Sequence, residues 1–227
     1  MRPVIVVMVK APRAGLVKTR LAPPLSELDA ASLAACMAQD SVGTALRVVR
    51  DVIVAYAPSN GRAPLEALLP DGLLWFEQRG ADLGARLEGA VAQAMGQGFS
   101  PVIVTGADSP TLPASFIEQA RDRLAACEAD VALGPTKDGG YYLVGLQRPV
   151  PGLFQNVDWS TPLAYEQTAR NAARSESRLL QLPAWYDVDT FSDLLRLRDE
   201  IFSDSAARSQ AQATYRWMLA HDLPHPS

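Results

Sequence analysis

The sequence predicts an α/β fold: three α/β/α layers built on a mixed but mostly parallel sheet. Three observations carry this. Short apolar runs alternate with helix-period segments from the first strand-like run, Val4–Val9, onward. The run Pro101–Thr105 is apolar or β-branched and stops abruptly at Gly106, as a buried strand does at the edge of a sheet. Two strand-like runs, Asp130–Gly134 and Tyr141–Leu146, follow one another across Asp138-Gly139-Gly140 with no helix between them, which predicts local antiparallel pairing.

Each element has its own signal. Ser26 to Val49 reads as a long helix, with Ser26 as N-cap, Asp29 three residues later, and Leu28, Leu33, Cys36 and Met37 on one face. Asp51–Ala57 is the second strand, Pro64–Leu69 a short helix and Leu73–Glu77 the third strand. Leu83–Met95 carries apolar residues at 83, 87, 91 and 95, and Gly96 and Gly98 end it. Pro113–Cys127 is a helix with proline at its start. After the paired strands come a helix over Thr161–Arg174, a strand over Arg178–Leu182 and a helix over Phe191–Phe202. A terminal helix spans Ala206–Leu219. No repeat or linker interrupts the pattern, so residues 1–227 are expected to form one domain.

Bulk composition narrows the function. The chain is 48% hydrophobic and 20% charged, enough apolar material for a full core. A net charge of −4 argues against nucleic acid or a membrane surface as partner. No run approaches the ~18 consecutive apolar residues of a membrane span. Val4–Met8 is too short for a signal segment, and two cysteines make no disulfide framework, so a reduced, cytoplasmic protein is expected. The only histidines are His221 and His225, which argues against a Ser-His-Asp, Cys-His or histidine-zinc site in the body of the fold. Carboxylates, basic residues, hydroxyls and backbone amides remain.

Six segments could use them. Lys10-Ala-Pro-Arg-Ala-Gly-Leu-Val-Lys-Thr-Arg20 places Lys10, Arg13, Lys18 and Arg20 around Gly15, directly after the first strand. The spacing is not that of a P-loop, which has a lysine directly after its second glycine. The run is either a solvated basic loop or an anion site, and its place at the ligand edge of the sheet favours the anion. Gln78-Arg-Gly-Ala-Asp-Leu-Gly-Ala-Arg86 offers Gln78 to a base edge and Arg86 to phosphates, while Asp82 is a good N-cap. Gly106-Ala-Asp-Ser-Pro110 puts Asp108 at the carboxyl edge, as a turn acid or as a ligand to a hard cation. Lys137-Asp-Gly-Gly-Tyr141 brings Asp138 and the permissive Gly139 and Gly140 to a turn, a hairpin or a close approach to a ligand. Asp187-Val-Asp-Thr190 supplies a helix cap in Asp189 and Thr190, or a second carboxylate for a metal at Asp108. In Asp158-Trp-Ser-Thr161, Ser160 would cap the next helix and Trp159 would pack in the core or line an acceptor pocket.

In this order, the segments resemble the bacterial family called rSAM/selenodomain-associated transferase 1, whose members are GT-A-fold glycosyltransferases. The likeness runs from about residue 4 to about residue 200. More loosely, the chain is similar to molybdenum-cofactor and phospholactate guanylyltransferases, which share a basic loop after strand one and a metal-binding Asp after a central strand. The resemblance implies a nucleotide-diphospho-sugar transferase (GT-A, Rossmann-like) fold. It further implies a nucleotide or nucleotide-sugar donor, a small-molecule acceptor, and Mg2+ or Mn2+. It carries Lys18 and Arg20 over to the donor phosphates, Asp108 to the metal and Asp189 to a second metal contact, with Lys18, Asp108 and Asp138 as the catalytic set. One departure matters: the Asp-x-Asp of many GT-A enzymes is Asp108-Ser-Pro110 here, with one acid, which moves the chain toward the nucleotidyltransferase pattern. Glycosyl transfer is the leading expectation and nucleotidyl transfer with release of pyrophosphate the alternative. Trp217 and Tyr215 suggest an interface for a homodimer.

Overall fold

The structure, a computed structural model, describes residues 1–221 and 223; His225 lies outside them. β1 (Val4–Lys10) is flanked in parallel by β2 (Asp51–Ala57) and β4 (Val102–Gly106). β3 (Leu74–Glu77) extends the β2 wing, also in parallel. On the other wing, β6 (Tyr141–Leu146) runs antiparallel to both β4 and β5 (Val131–Pro135), and β7 (Leu179–Gln181) pairs in parallel with β5. The order is β3-β2-β1-β4-β6-β5-β7. The chain goes from β1 into one wing and comes back through β4 into the other. The loops after β1 and β4 therefore part over a crevice at the carboxyl edge, where open α/β sheets bind ligands.

Alternate residues of β1 feed two cores, because successive strand side chains point to opposite faces. Ile5, Val7 and Val9 pack with α1 (Glu27–Val48) and α4 (Ala114–Ala125) through Val42, Ala45, Ile117 and Leu124. Val4 and Val6 pack with α3 (Leu83–Gly96) and α5 (Ala164–Arg174) through Leu87, Val91, Ala94 and Ala172. A short α2 (Arg62–Glu66) seats Leu65 in the first core. A third cluster joins Leu33 and Met37 of α1 to Leu194, Leu197 and Ile201 of α6 (Phe191–Ser203). It binds the C-terminal helices to the site end of the molecule.

Several expectations need correction. Leu28 is 73% exposed: at about 100° per residue it lies about 140° round the helix from Leu33. Leu83 is likewise exposed, while Leu87 and Val91 are buried. Cys127 lies just beyond α4, at φ +54°, rather than inside it. Ser160 caps nothing; it sits at φ +61°, and α5 begins only at Ala164. The terminal helix is two helices, α7 (Ser205–Gln210) and α8 (Gln212–Ala220), broken at Ala211. A buried acid accounts for the start of the second one. Asp40 of α1 accepts the Ala213 and Thr214 N–H groups at 2.8 Å each, so a side chain from another helix meets two of the donors that a helix start leaves free. Trp217 is buried in its own chain, donates to Ser32 Oγ at 2.7 Å and stacks on His221, so it is core and not the expected dimer surface.

Candidate functional site

The loop after β1 turns through the left-handed region twice, at Gly15 (φ +72°) and at Lys18 (φ +47°). For lysine that region costs about 1 kcal/mol. Three contacts hold Lys18 there. Its Nζ lies 2.5 Å from Asp108 Oδ1 and 3.1 Å from Asp189 Oδ1, and donates to the Val188 carbonyl at 2.7 Å. The lysine side chain is 8% exposed, whereas those of Asp108 and Asp189 are 51% and 46% exposed. Burial pulls the ammonium pKa down, but the two carboxylates outweigh it, so the group stands above an ordinary lysine and stays charged.

Asp108 is not the turn or cap acid that its motif allowed. The helix after it has Pro113 at its N-cap with no side-chain cap, and among the described residues no main-chain N–H donates to the Asp108 carboxylate. Its main chain has a different task. The Asp108 carbonyl accepts the Val188 N–H at 3.0 Å, which docks the 187–189 segment beside the end of β4. Val188 is fully buried in the third cluster, so the residues on either side of it face the crevice. Asp189 is freed from capping because Thr190 caps α6 in a reciprocal box with Asp193.

Two cavities meet at Asp108. The first, about 290 Å3, is lined by Lys10, Lys18, Arg20, Asp108 and Asp189, with Val9 and Ala38 behind them. Arg20 is 70% exposed and its Nη1 lies 3.9 Å from Asp189 Oδ2. The second, about 240 Å3, is lined by Asp108 and Asp187 among apolar residues. Asp187 is a site residue that the candidate set lacked. Its carboxyl is pushed up to about 7, first by burial and then by Asp138, Asp189 and Asp108, with Lys18 pulling the other way. The signal was in the sequence, as the i, i+2 spacing of Asp187 and Asp189 around an apolar residue.

The other candidates line neither cavity, although the Asp138 charge reaches Asp187. Arg13 donates to the Asn60 carbonyl and Oδ1 at 2.9 and 2.8 Å, fastening the basic loop to the loop after β2. A Cβ on Gly15 would lie 3.0 Å from Glu27 Oε2. Gln78 and Arg86 share a separate small cavity of about 120 Å3. The Gln78 amide donates to the Ala55 carbonyl at 2.7 Å, and Arg86 Nε donates to the Gly80 carbonyl at 3.3 Å. Asp138 closes its own turn, accepting from Thr136 Oγ1 at 2.5 Å and Gly140 N–H at 3.3 Å. Gly139 (φ +90°) permits close packing, since a Cβ there would stand 2.1 Å from the Pro162 carbonyl oxygen. Asp138, Gly139 and Gly140 thus shape a turn and line neither cavity. Trp159 packs edge-on to Tyr141 against the second core.

Comparison with known proteins agrees with this architecture. A candidate nucleotide-diphospho-sugar transferase from Desulfovibrio desulfuricans G20 superposes with a TM-score of 0.83 at 30% identity, over 96% of this chain and 99% of its own. CMP:2-keto-3-deoxy-manno-octonic acid synthetase, solved with CTP, gives a TM-score of 0.59 at 15% identity, over 89% of this chain and 99% of its own. The manganese complex of Rv0371c from Mycobacterium tuberculosis H37Rv gives 0.53 at 16% identity, over 87% and 98%. The last two show likeness of fold alone. The architecture is that of the nucleotide-diphospho-sugar transferases and cytidylyltransferases. No curated protein matches the chain. The profile of a bacterial family described as "Uncharacterized protein conserved in bacteria (DUF2064)" matches residues 42–161. That match covers more than half of the chain, and with the Desulfovibrio relative it shows that the protein belongs to the DUF2064 family.

Proposed function

We propose that this protein is a metal-dependent transferase acting on a nucleotide-activated donor, and that it transfers a sugar from a nucleotide-diphospho-sugar to a hydroxyl. One observation carries the reading: the buried Lys18 ammonium joins Asp108 to Asp189 in a cavity edged by Lys10 and Arg20. The name of the Desulfovibrio relative supports it. So does the resemblance to the rSAM/selenodomain-associated transferases; the activity is proposed to reside in a single cytoplasmic domain of residues 1–227.

The donor set fits a hard divalent cation. Asp108 and Asp189 offer oxygen only, are half exposed, and already converge on one positive charge. Among the described residues no group of three or more His, Cys, Asp or Glu could hold a metal by itself. Mg2+ or Mn2+ would take these one or two carboxylates and complete its shell with phosphate and water. Bound there, the ion would offset the charge that builds on the leaving diphosphate. Lys18 serves the same end as a fixed, dry cation whose position needs no rearrangement during the reaction. Arg20 and Lys10 hold the outer phosphates. Asp187 receives the acceptor hydroxyl on the far side of Asp108. Gln78 and Arg86, in their separate cavity, are assigned to the base, and Asp138 acts on the acceptor side through its charge on Asp187 rather than by contact, with Gly139 and Gly140 shaping its turn.

Nucleotidyl transfer is the second reading, favoured by the basic loop, which suits a leaving pyrophosphate. A thermal-shift screen with Mn2+ separates the two: UDP-, GDP- and ADP-sugars against the nucleoside triphosphates. Stabilisation by a sugar nucleotide above its parent diphosphate supports glycosyl transfer. Stabilisation by a triphosphate and no sugar nucleotide overturns it.

A further inference from the structure

The second cavity differs from the first in charge. Its walls are Met8, Leu83, Leu87, Val104 and Tyr141, and its polar side chains include Asp108, Asp187 and Ser109. Among the described residues no Lys, Arg or His lines it, whereas Lys10, Lys18 and Arg20 line the first. Thr105 also lines the wall, but its hydroxyl is engaged by the Tyr142 carbonyl at 3.0 Å. The Tyr141 hydroxyl is buried without a hydrogen-bond partner among the described residues. At about 240 Å3 the space is below the usual range for a drug-sized ligand and suits one sugar ring, with an aglycone lying at the rim beside the half-exposed Leu83.

A phosphate or carboxylate entering this space would leave water for a wall with two aspartates, whose nearest cation, Lys18, lines the first cavity and is already engaged by Asp108, and such burial is unfavourable. An ammonium gains less than the acid count suggests, because the Asp108 charge is already offset by Lys18 at 2.5 Å. A neutral ring with hydroxyls meets neither penalty. Its hydroxyls donate to Asp108 and Asp187, and its C–H face packs on Met8, Leu83 and Leu87.

We infer that the second cavity binds an uncharged, hydroxyl-bearing ring, such as a sugar or an aryl or alkyl glycoside, and rejects phosphorylated compounds. This deepens the glycosyl-transfer reading and rests on it for the reaction that joins the two cavities, though not for binding itself.

Saturation-transfer NMR on the protein without metal, with saturating pyrophosphate present to occupy the cations of the first cavity, reads the second cavity. The probes are phenyl β-glucoside, glucose 6-phosphate and glucosamine, each at millimolar concentration. Phenyl glucoside is expected to bind, and glucose 6-phosphate to bind at least about tenfold more weakly, the effect of a charge left without a partner. Leu83 is 45% exposed at the rim, so Leu83→Lys should leave the fold intact and raise glucose 6-phosphate binding toward that of phenyl glucoside. The inference is overturned if glucose 6-phosphate or glucosamine binds as tightly as phenyl glucoside to the unaltered protein, or if phenyl glucoside gives no signal. It is equally overturned if neither Leu83→Lys nor Asp187→Asn changes the phenyl glucoside signal. A nucleotide screen that fails while these probes behave as expected removes the transferase reading and leaves this one standing; the reverse result removes this one alone.

Discussion

The Lys18 ammonium lies 2.5 Å from Asp108 Oδ1, nearly out of reach of water, while Asp108 itself is half exposed. A buried cation is thus the partner of an acid that solvent and ligands can reach. Lys18→Met should leave two carboxylates facing each other without a counter-charge. With both acids partly solvated, the loss is on the order of 1–2 kcal/mol rather than the larger value of a fully buried pair. Mn2+ should recover much of it by supplying the missing charge. Chemical denaturation with and without Mn2+ measures both effects, and a variant as stable as the parent in the absence of Mn2+ would contradict the structural role.

Asp108→Asn keeps the shape of the side chain and its main-chain bond to Val188 but removes the charge. Folding should be retained, and the dependence of nucleotide affinity on metal should vanish. Calorimetric titration with and without Mg2+ gives the answer directly. A metal effect of undiminished size in the variant would rule Asp108 out as a ligand.

Asp187 supplies a pH signature. Its folded-state carboxyl titrates at about 7, whereas an unfolded one titrates at about 3.9. The folded state therefore holds this proton more tightly. Its contribution to stability is complete below about pH 4 and is lost progressively as the pH rises through about 7. Asp187→Asn should flatten the fall in melting temperature over that window. If the pH profiles of variant and parent run parallel, the carboxyl titrates elsewhere.

Asp40 tests the fold without touching the site. It is buried, and its two oxygens meet the first free N–H groups of α8. Asp40→Ala leaves both donors unpaired at a cost of about 2–3 kcal/mol. Urea denaturation followed by circular dichroism should show this as a lower midpoint. An unchanged midpoint would mean that water replaces the carboxylate without loss.

Local pattern was enough to read the strands. Val4–Lys10, Asp51–Ala57 and Tyr141–Leu146 each carry their own apolar signal and fall where it predicts. Lys18, Asp108 and Asp189 were likewise legible, because each follows or precedes an element boundary at the ligand edge. What local pattern does not contain is a partner distant in sequence. The break at Ala211 depends on Asp40, and the burial of Trp217 depends on Ser32, both on α1. Gly139 reads as a ligand-facing glycine until the loop at Pro162 is seen pressed against it. The i, i+2 spacing of Asp187 and Asp189 marks them as a pair, but only the docking of Val188 on Asp108 turns both toward the crevice.

Lys18 and Asp189 are separated by 171 positions, yet they share one contact. A nascent chain must emerge at least through Asp189 before the first cavity is complete. Ligand binding there accordingly reports that the segment carrying Asp189 has folded back onto the loop after the first strand, and a chain cut before Asp189 would lack that contact even if its other strands had formed.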